Sequence, residues 1–148
     1  MAANIDPIYG RTADVQVGGA VIGPTAVTLQ DGTGTLVQIF AADATEGGWV
    51  DSIVLKSVLS PAATVVRIFY CTATGAFTSG TTNTVVNTAM IAEATLGVVA
   101  TSNTVSQNDV VIPVRRALPA GTKLLIGFGT STGAAGTGYA VTTFGAKY

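Results

Sequence analysis

Two neighbouring segments decide the fold class: Gly48-Trp49-Val50-Asp51-Ser52-Ile53-Val54-Leu55-Lys56-Ser57-Val58-Leu59 and Thr64-Val65-Val66-Arg67-Ile68-Phe69-Tyr70-Cys71-Thr72. Both are rich in β-branched and aromatic residues, which pack well on a pleated surface. Ser60-Pro61-Ala62-Ala63 separates them. Proline fixes φ and has no N–H to give to a ladder, so this is a break between strands. The connection is too short for a crossover helix, which predicts that the two strands pair antiparallel as a hairpin. In the second strand Val65, Arg67, Phe69 and Cys71 share one face, and Val66, Ile68 and Tyr70 share the other. Nearly every position on both faces is apolar, as in a central strand covered on both sides by a second sheet or a neighbouring subunit. The hairpin is therefore expected in the middle of a β-sandwich.

The rest of the chain reads as more short strands. Residues 1–13 are broken by Asp6-Pro7 and Tyr9-Gly10, yet carry Ile5, Ile8 and Tyr9, so an arm packed on its own domain or on a neighbour is expected. Residues 14–148 are expected to form a single β-sandwich domain. Asp14-Val15-Gln16-Val17 reads as a short strand, and Thr25 to Gln30 as another, with Val27 and Leu29 on one face. Asp31-Gly32-Thr33-Gly34 is a hairpin-turn signature leading into Thr35 to Ala41, and Ala42 to Gly48 is a loop. Thr74 to Thr84 is polar and reads as a long exposed connection. Met90 to Leu96 reads as strand in preference to a helical turn, and Asp109 to Arg115 as a strand whose Pro113 marks an edge or a bulge. Leu118-Pro119-Ala120-Gly121 has the residues of a type I turn. Strands over Thr122 to Gly129 and Tyr139 to Phe144 complete the set. Eight or nine short strands with turn signals and no helix predict an all-β, two-sheet antiparallel sandwich, jelly-roll-like in strand number and length.

Composition narrows the function. The chain has 148 residues, of which 10% are charged, against about 25% in an ordinary soluble domain. Its polarity comes from Thr, Ser, Asn and Gly, which suits extended structure and close subunit contact. A net charge of −1 gives no electrostatic case for nucleic acid. The start of the chain lacks a basic n-region and a signal-length apolar run, and no stretch approaches 18 uncharged apolar residues, so neither secretion nor a membrane is expected.

The chemistry of catalysis is thin. With no histidine, the usual general base, the commonest metal ligand and the Ser-His-Asp triad all go. Cys71 lies in an apolar strand and reads as a buried small hydrophobe with no base to activate it. Glu46 and Glu93 are far apart in sequence, a poor match to a paired-carboxylate glycosidase. Asp31-Gly32-Thr33-Gly34 lacks the alternating acidic ligands of a calcium loop. Gly127 and Gly129 open no helix, so they are no dinucleotide fingerprint. Trp49 is expected in the core, because Val50, Ile53 and Leu55 follow it. Arg115-Arg116 is a lone basic pair, by default a solvated strand end and in the sharper reading a contact to a neighbour's carboxylate. No catalytic residue, cofactor or metal is expected.

Pro7-Ile8-Tyr9 with Asp14-Val15-Gln16, Asp31-Gly32-Thr33-Gly34, Ala42-Asp43-Ala44-Thr45-Glu46-Gly47-Gly48, Val65-Val66-Arg67-Ile68-Phe69 and Leu118-Pro119-Ala120-Gly121 fall in an order that resembles small virion proteins of tailed bacteriophages. Some of these resemble capsid decoration (cement) proteins, compact β-domains, often trimers, seated where capsomers meet. The resemblance implies a non-enzymatic structural role, a major capsid protein as partner, a homo-oligomer (a trimer first) and a place on the phage head after synthesis in the host cytoplasm. It does not separate head from tail. The competing reading is a tail or fibre-associated receptor- or carbohydrate-binding module, for which Phe77 and Tyr139 are the loop aromatics available. The residues expected at a capsid or subunit contact are Ile5, Ile8, Tyr9, Arg11, Arg115 and Arg116.

If the arm serves attachment, deleting residues 2–11 will leave the melting temperature of the isolated domain nearly unchanged. It will lower occupancy on shells and the shells' resistance to heat. A domain that melts several degrees earlier yet decorates shells normally would make the arm a seal on its own core.

Overall fold

The computed structural model describes residues 12–18, 22–23, 25–27 and 29–148. Its strands are β1 (Thr12–Val17), β2 (Val37–Ala41), β3 (Gly48–Val58), β4 (Thr64–Cys71), β5 (Thr88–Leu96), β6 (Val110–Leu118), β7 (Lys123–Phe128) and β8 (Gly138–Lys147). No helix occurs among the described residues. The strands form two four-stranded sheets, β1-β8-β3-β6 and β2-β7-β4-β5, with every pairing antiparallel. Val50, Ile53, Leu55 and Val141 from the first sheet meet Val66, Ile68, Leu124 and Ile126 from the second in one core. The all-β, two-sheet expectation holds.

The expected hairpin does not form. β3 sits between β8 and β6, whereas β4 sits between β7 and β5, so the two are inner strands of opposite sheets. Residues 59–63 are long enough either to turn back within a sheet or to cross the roughly 10 Å between packed sheets. Loop length therefore does not choose between the two. The connection is shaped for crossing by Leu59 at φ 56° and by a buried Pro61, whose carbonyl accepts from Val99 N–H at 3.2 Å.

β4 is covered on both faces, as its composition demands. The second cover is the chain's own loops, with no neighbouring subunit needed. Phe69 and Cys71 on its outer face pack with Val27, Leu36 and Leu125, and Ala73 and Phe77 close over them. Cys71 is fully buried and free. The polar stretch over 74–84 is thus more than an exposed connection. Asn83 is buried and donates through Nδ2 to the carbonyls of Gly32 (2.8 Å) and Gly34 (3.0 Å), while Ser79 Oγ donates to Leu36 O at 2.6 Å. Arg67 reaches from the same face, donating through Nη1 to Val27 O (3.0 Å) and through Nε to Glu93 Oε1 (2.9 Å).

This covering role displaces the strand expected over residues 25–30. Among the described residues of that segment only an isolated parallel bridge of Ala26 with Phe128 forms, and Val27 is buried while Leu29 is exposed. Asp31 accordingly starts no hairpin. Its Oδ1 accepts from the N–H (3.0 Å) and hydroxyl (2.6 Å) of Thr33, a local Asx turn. The turn expected at Leu118–Gly121 is displaced by one residue. Thr122 N–H donates to Pro119 O at 3.2 Å, and Gly121, at φ 73°, takes the third position that favours glycine in a type II turn.

One orphaned group in the core yields a test. Thr143 is fully buried and its hydroxyl has no hydrogen-bond partner among the described residues. Thr143→Val keeps the shape and removes a desolvated hydroxyl that costs about 1–3 kcal/mol. The melting temperature should rise by about 2–4 °C for each kcal/mol regained, and scanning calorimetry of the variant checks it.

Acid sensitivity should come partly from Asp43. Its Oδ1 accepts from Thr45 N–H (2.9 Å), Glu46 N–H (3.1 Å) and the Thr45 hydroxyl (2.9 Å), led by the Thr45 N–H, and these bonds hold its carboxyl below the ordinary 3.8. A depressed folded value means stabilisation present above 3.8 and lost as pH falls through the folded value. Urea midpoints should therefore separate Asp43→Asn from the parent at pH 6, with the gap closing below 3.8.

Candidate functional site

Strand register decides which side chains share the outer face of the β1-β8-β3-β6 sheet. In one cross-strand row Ala13 faces Ala146, Ala146 faces Trp49 and Trp49 faces Ala117. The next outward row is Val15, Phe144, Ser52 and Pro113, and the third is Val17, Thr142, Val54 and Val111. None of the residues in these three rows is charged. Water reaches this face: Val17 is 67% exposed, Val111 57%, Val15 54%, Phe144 41% and Trp49 37%. No loop among those that cover the second sheet crosses to cover it.

Trp49 is the reading that the structure corrects most usefully. Strict alternation from Ile53 and Leu55 places Asp51 and Trp49 on the core face. The pairing slips between Val50 and Ser52: Val50 faces Gly145 and Ser52 faces Phe144, so Asp51 is an extra residue against β8. A single inserted residue moves everything beyond it to the opposite face. Val50 is therefore fully buried and Trp49 stands outward between Ala146 and Ala117, small neighbours that leave its indole proud of the sheet.

The slip continues into β6, as Pro113 led one to expect. Val50 faces Arg116 and Ser52 faces Pro113, so Val114 and Arg115 together oppose Asp51. Arg115 takes φ 49°, uncommon for a non-glycine residue, and both Arg115 and Arg116 are exposed on this edge strand. Among the described residues neither arginine has a carboxylate within ion-pair distance. The bulge and the charges blunt an edge that would otherwise invite another strand. Arg115 thus lies at the bulge beside the apolar face, whereas Arg116 is the register partner of buried Val50 and belongs to the opposite side of this edge strand. Ile5, Ile8, Tyr9 and Arg11 lie outside the described residues.

Elsewhere the candidate chemistry is engaged in holding structure. Glu93 pairs with Arg67 at 2.9 Å, and the N–H of Glu46 serves the Asp43 turn. Among the described residues no group of three or more His, Cys, Asp or Glu side chains is placed to hold a metal ion. Lys123, 3% exposed, donates through Nζ to the carbonyls of Ala73 (2.6 Å) and Gly121 (3.0 Å), pinning the loop after β4. The two aromatics considered as sugar platforms are poorly placed for stacking. Tyr139 is 2% exposed and stacks on Phe128 at 5.6 Å between ring centroids, and Phe77 packs on the second cluster. No helix among the described residues is long and apolar enough to cross a membrane.

Comparison with known proteins returns no matching family model, no matching curated protein and no matching solved structure.

Proposed function

We propose that this chain is a non-enzymatic structural protein of a tailed-phage virion, a decoration protein that attaches to the assembled head through the outer face of its first sheet. The observation that carries the reading is that face: three rows of uncharged, largely apolar residues, with Trp49 exposed among alanines and the bulged Asp51 as the one charge between the first two rows. Exposed apolar patches with polar rims mark contact sites, and tryptophan is prominent among residues that dominate binding energy. The strand orders 1-8-3-6 and 2-7-4-5 support a jelly roll, two interlocked Greek keys. That architecture occurs in viral capsid domains and equally in lectins, so this support is fold analogy alone. The placement of Phe77 and Tyr139 favours the capsid side of that choice.

Size explains why such a protein would work in many copies. Four strands about 4.8 Å apart and six residues long at about 3.3 Å each make a footprint of roughly 400 Å². A standard interface takes about 800 Å² from each partner. One face of this size binds weakly alone, and a trimer on a repeating shell multiplies it by avidity. The partner in this proposal is the major capsid protein, with Arg115 at the bulge meeting a carboxylate beside the face.

The test is decoration of preassembled empty heads by purified protein. Trp49→Ala and Phe144→Ser should each lower the melting temperature by a few degrees at most and leave the domain folded, because both side chains lie outside the core and are only about two-fifths exposed. Trp49→Ala should weaken shell binding by about 30-fold or more, the effect of a hot-spot residue. Normal decoration by a Trp49→Ala, Phe144→Ser double variant would overturn the assignment of this face. Glycan binding by the isolated domain, with no affinity for heads, would overturn the virion reading in favour of a receptor module.

A further inference from the structure

The four sheet edges are not equally defended. β6 carries Pro113, a bulge and two arginines. β1 turns Asp14 and Gln16 inward, half-buried, and the Gln16 side chain closes the edge of β2. Its Nε2 donates to Ala41 O at 2.9 Å and its Oε1 accepts from Ala41 N–H at 2.8 Å. β5 has neither charge nor clasp to defend it. Over Thr88–Leu96 it holds no proline, lysine or arginine, and its one charge, Glu93, is held at 2.9 Å by Arg67 of the neighbouring strand.

Part of the hydrogen-bonding capacity of β5 points away from β4. Val65 O accepts from Gly129 N–H on the β7 side, so by alternation Val66 and Ile68 turn toward β5, where they meet Ala94 and Ala92. At the other end Thr72 N–H donates to Asn87 O, and Tyr70 meets Ala89. The backbone groups of Met90, Glu93 and Thr95 therefore face outward from the edge, and no backbone partner meets them among the described residues. Thr88 differs: its N–H serves Thr84 O and Gly32 lies against it, so the chain itself covers that end. The open run is 89–95, with Ala89, Met90, Glu93 and Thr95 exposed.

The bulge in β5 makes this run match its own copy. Pairing passes from Ile68–Ala92 to Phe69–Met90, which leaves Ile91 extra, and Ile91 and Ala92 both pack on the main core. Opposed residues of an antiparallel pair lie on one face of the sheet. A regular strand meets its own copy in that way only if the two-fold axis passes through a residue. With two inward residues in succession, the axis falls between Ile91 and Ala92. Met90 then faces Glu93 of the second copy on the outer side, where Phe69 and Arg67 are their β4 partners. On the inner side Ala89 faces Ala94, and Ile91 faces Ala92, large against small. Met90 and Glu93 are also the residues whose backbone groups are open, so each symmetric pair can exchange both its N–H···O bonds.

We propose that two copies of this chain pair antiparallel through β5, about a two-fold axis between Ile91 and Ala92, so that their second sheets join into one. Each copy gives its only undefended edge to the contact, and the pairing closes at two. It is distinct from any trimer contact: it joins two single chains, or one trimer to the next. The axis stands perpendicular to the joined sheet, so the outer faces of both first sheets turn to the same side. Two contact faces are then offered to a shell together, and only that use rests on the virion reading. A contact this short is weak, with a dissociation constant of roughly 0.1–1 mM.

The experiment is a dilution series of the full chain spanning about tenfold on either side of that range, followed through backbone amide shifts. A mixture of isotope-labelled and unlabelled copies reads contacts between chains. Saturable shifts at residues 89–95 and their β4 partners, with contacts between Met90 and Glu93 of different copies, support the pairing. The sign of a charge at position 90 tests the register. Met90→Glu sets like charges opposite each other twice and should weaken pairing by roughly 2- to 30-fold, whereas Met90→Lys should keep or tighten it. Trp49→Ala should leave it unchanged, which separates this contact from the face assigned above. Four results overturn the proposal: no shift with concentration, shifts that spare β5, contacts between parent copies in another register, or equal weakening by Met90→Glu and Met90→Lys. The contacts between parent copies decide the register even if a variant fails to fold.

Discussion

The structure depends on a strand that is apolar on both sides. Val66 and Ile68 on one face of β4, and Phe69 and Cys71 on the other, are all fully buried. A sheet facing β4 can cover only one of those faces. The other needs a third layer, and a chain of this length has no strands left to build one. It uses loops, and loops carry backbone groups that must be hydrogen-bonded when buried. The side chains that do this are Asn83, Ser79, Arg67 and Lys123, each donating to loop carbonyls: those of Gly32 and Gly34, Leu36, Val27, and Ala73 and Gly121 respectively. Two of the chain's seven basic residues, Arg67 and Lys123, are thereby withdrawn from the surface.

The asymmetry between the sheets follows from the same constraint. Residues 25–27, 29–36 and 72–87 lie over the second sheet, and no comparable segment among the described residues lies over the first. The first sheet's strands answer by alternating: β3 buries Val50, Ile53 and Leu55 and exposes Trp49, Asp51 and Lys56. Apart from Asp51 at the bulge and Lys56 beyond it, the outward rows from Ala13 to Val111 are nevertheless mostly apolar. In a solvated antiparallel sheet that face is normally polar. Its persistence here, beside a second sheet so fully covered, is what gives the proposed contact face its force.

Composition and periodicity made the fold class legible, because β-branched runs and Gly/Pro punctuation are local signals. Partner choice was not legible. β3 and β4 look like a hairpin from their spacing, and residues 59–63 serve equally well to cross between sheets. The strand expected over residues 25–30 failed for a related reason: Val27 is claimed by Phe69 and Leu125 on the far side of β4, a contact that no local pattern records. The face around Trp49 was hidden by one residue. With the slip at Asp51 the phase of β3 reverses, and a tryptophan that counts as core by alternation becomes an exposed aromatic on the open sheet, beside Phe144.

Charge is the remaining link between this fold and assembly. With a net charge of −1 and 10% charged residues, little long-range repulsion keeps copies apart. The burial of Arg67 and Lys123 thins the surface charge further, leaving solubility to threonine, serine and asparagine. Such a surface tolerates close approach to another protein without desolvating many ions, a step that is costly unless each ion finds a partner. The edge strand β6 still guards against indiscriminate pairing, through Pro113, the bulge at Val114 and Arg115, and two adjacent arginines. Association by strand addition at that edge is thus opposed, while association through the flat apolar face is not. In the proposed attachment, the face of the sheet with Arg115 at its bulged border is the surface that this edge leaves open.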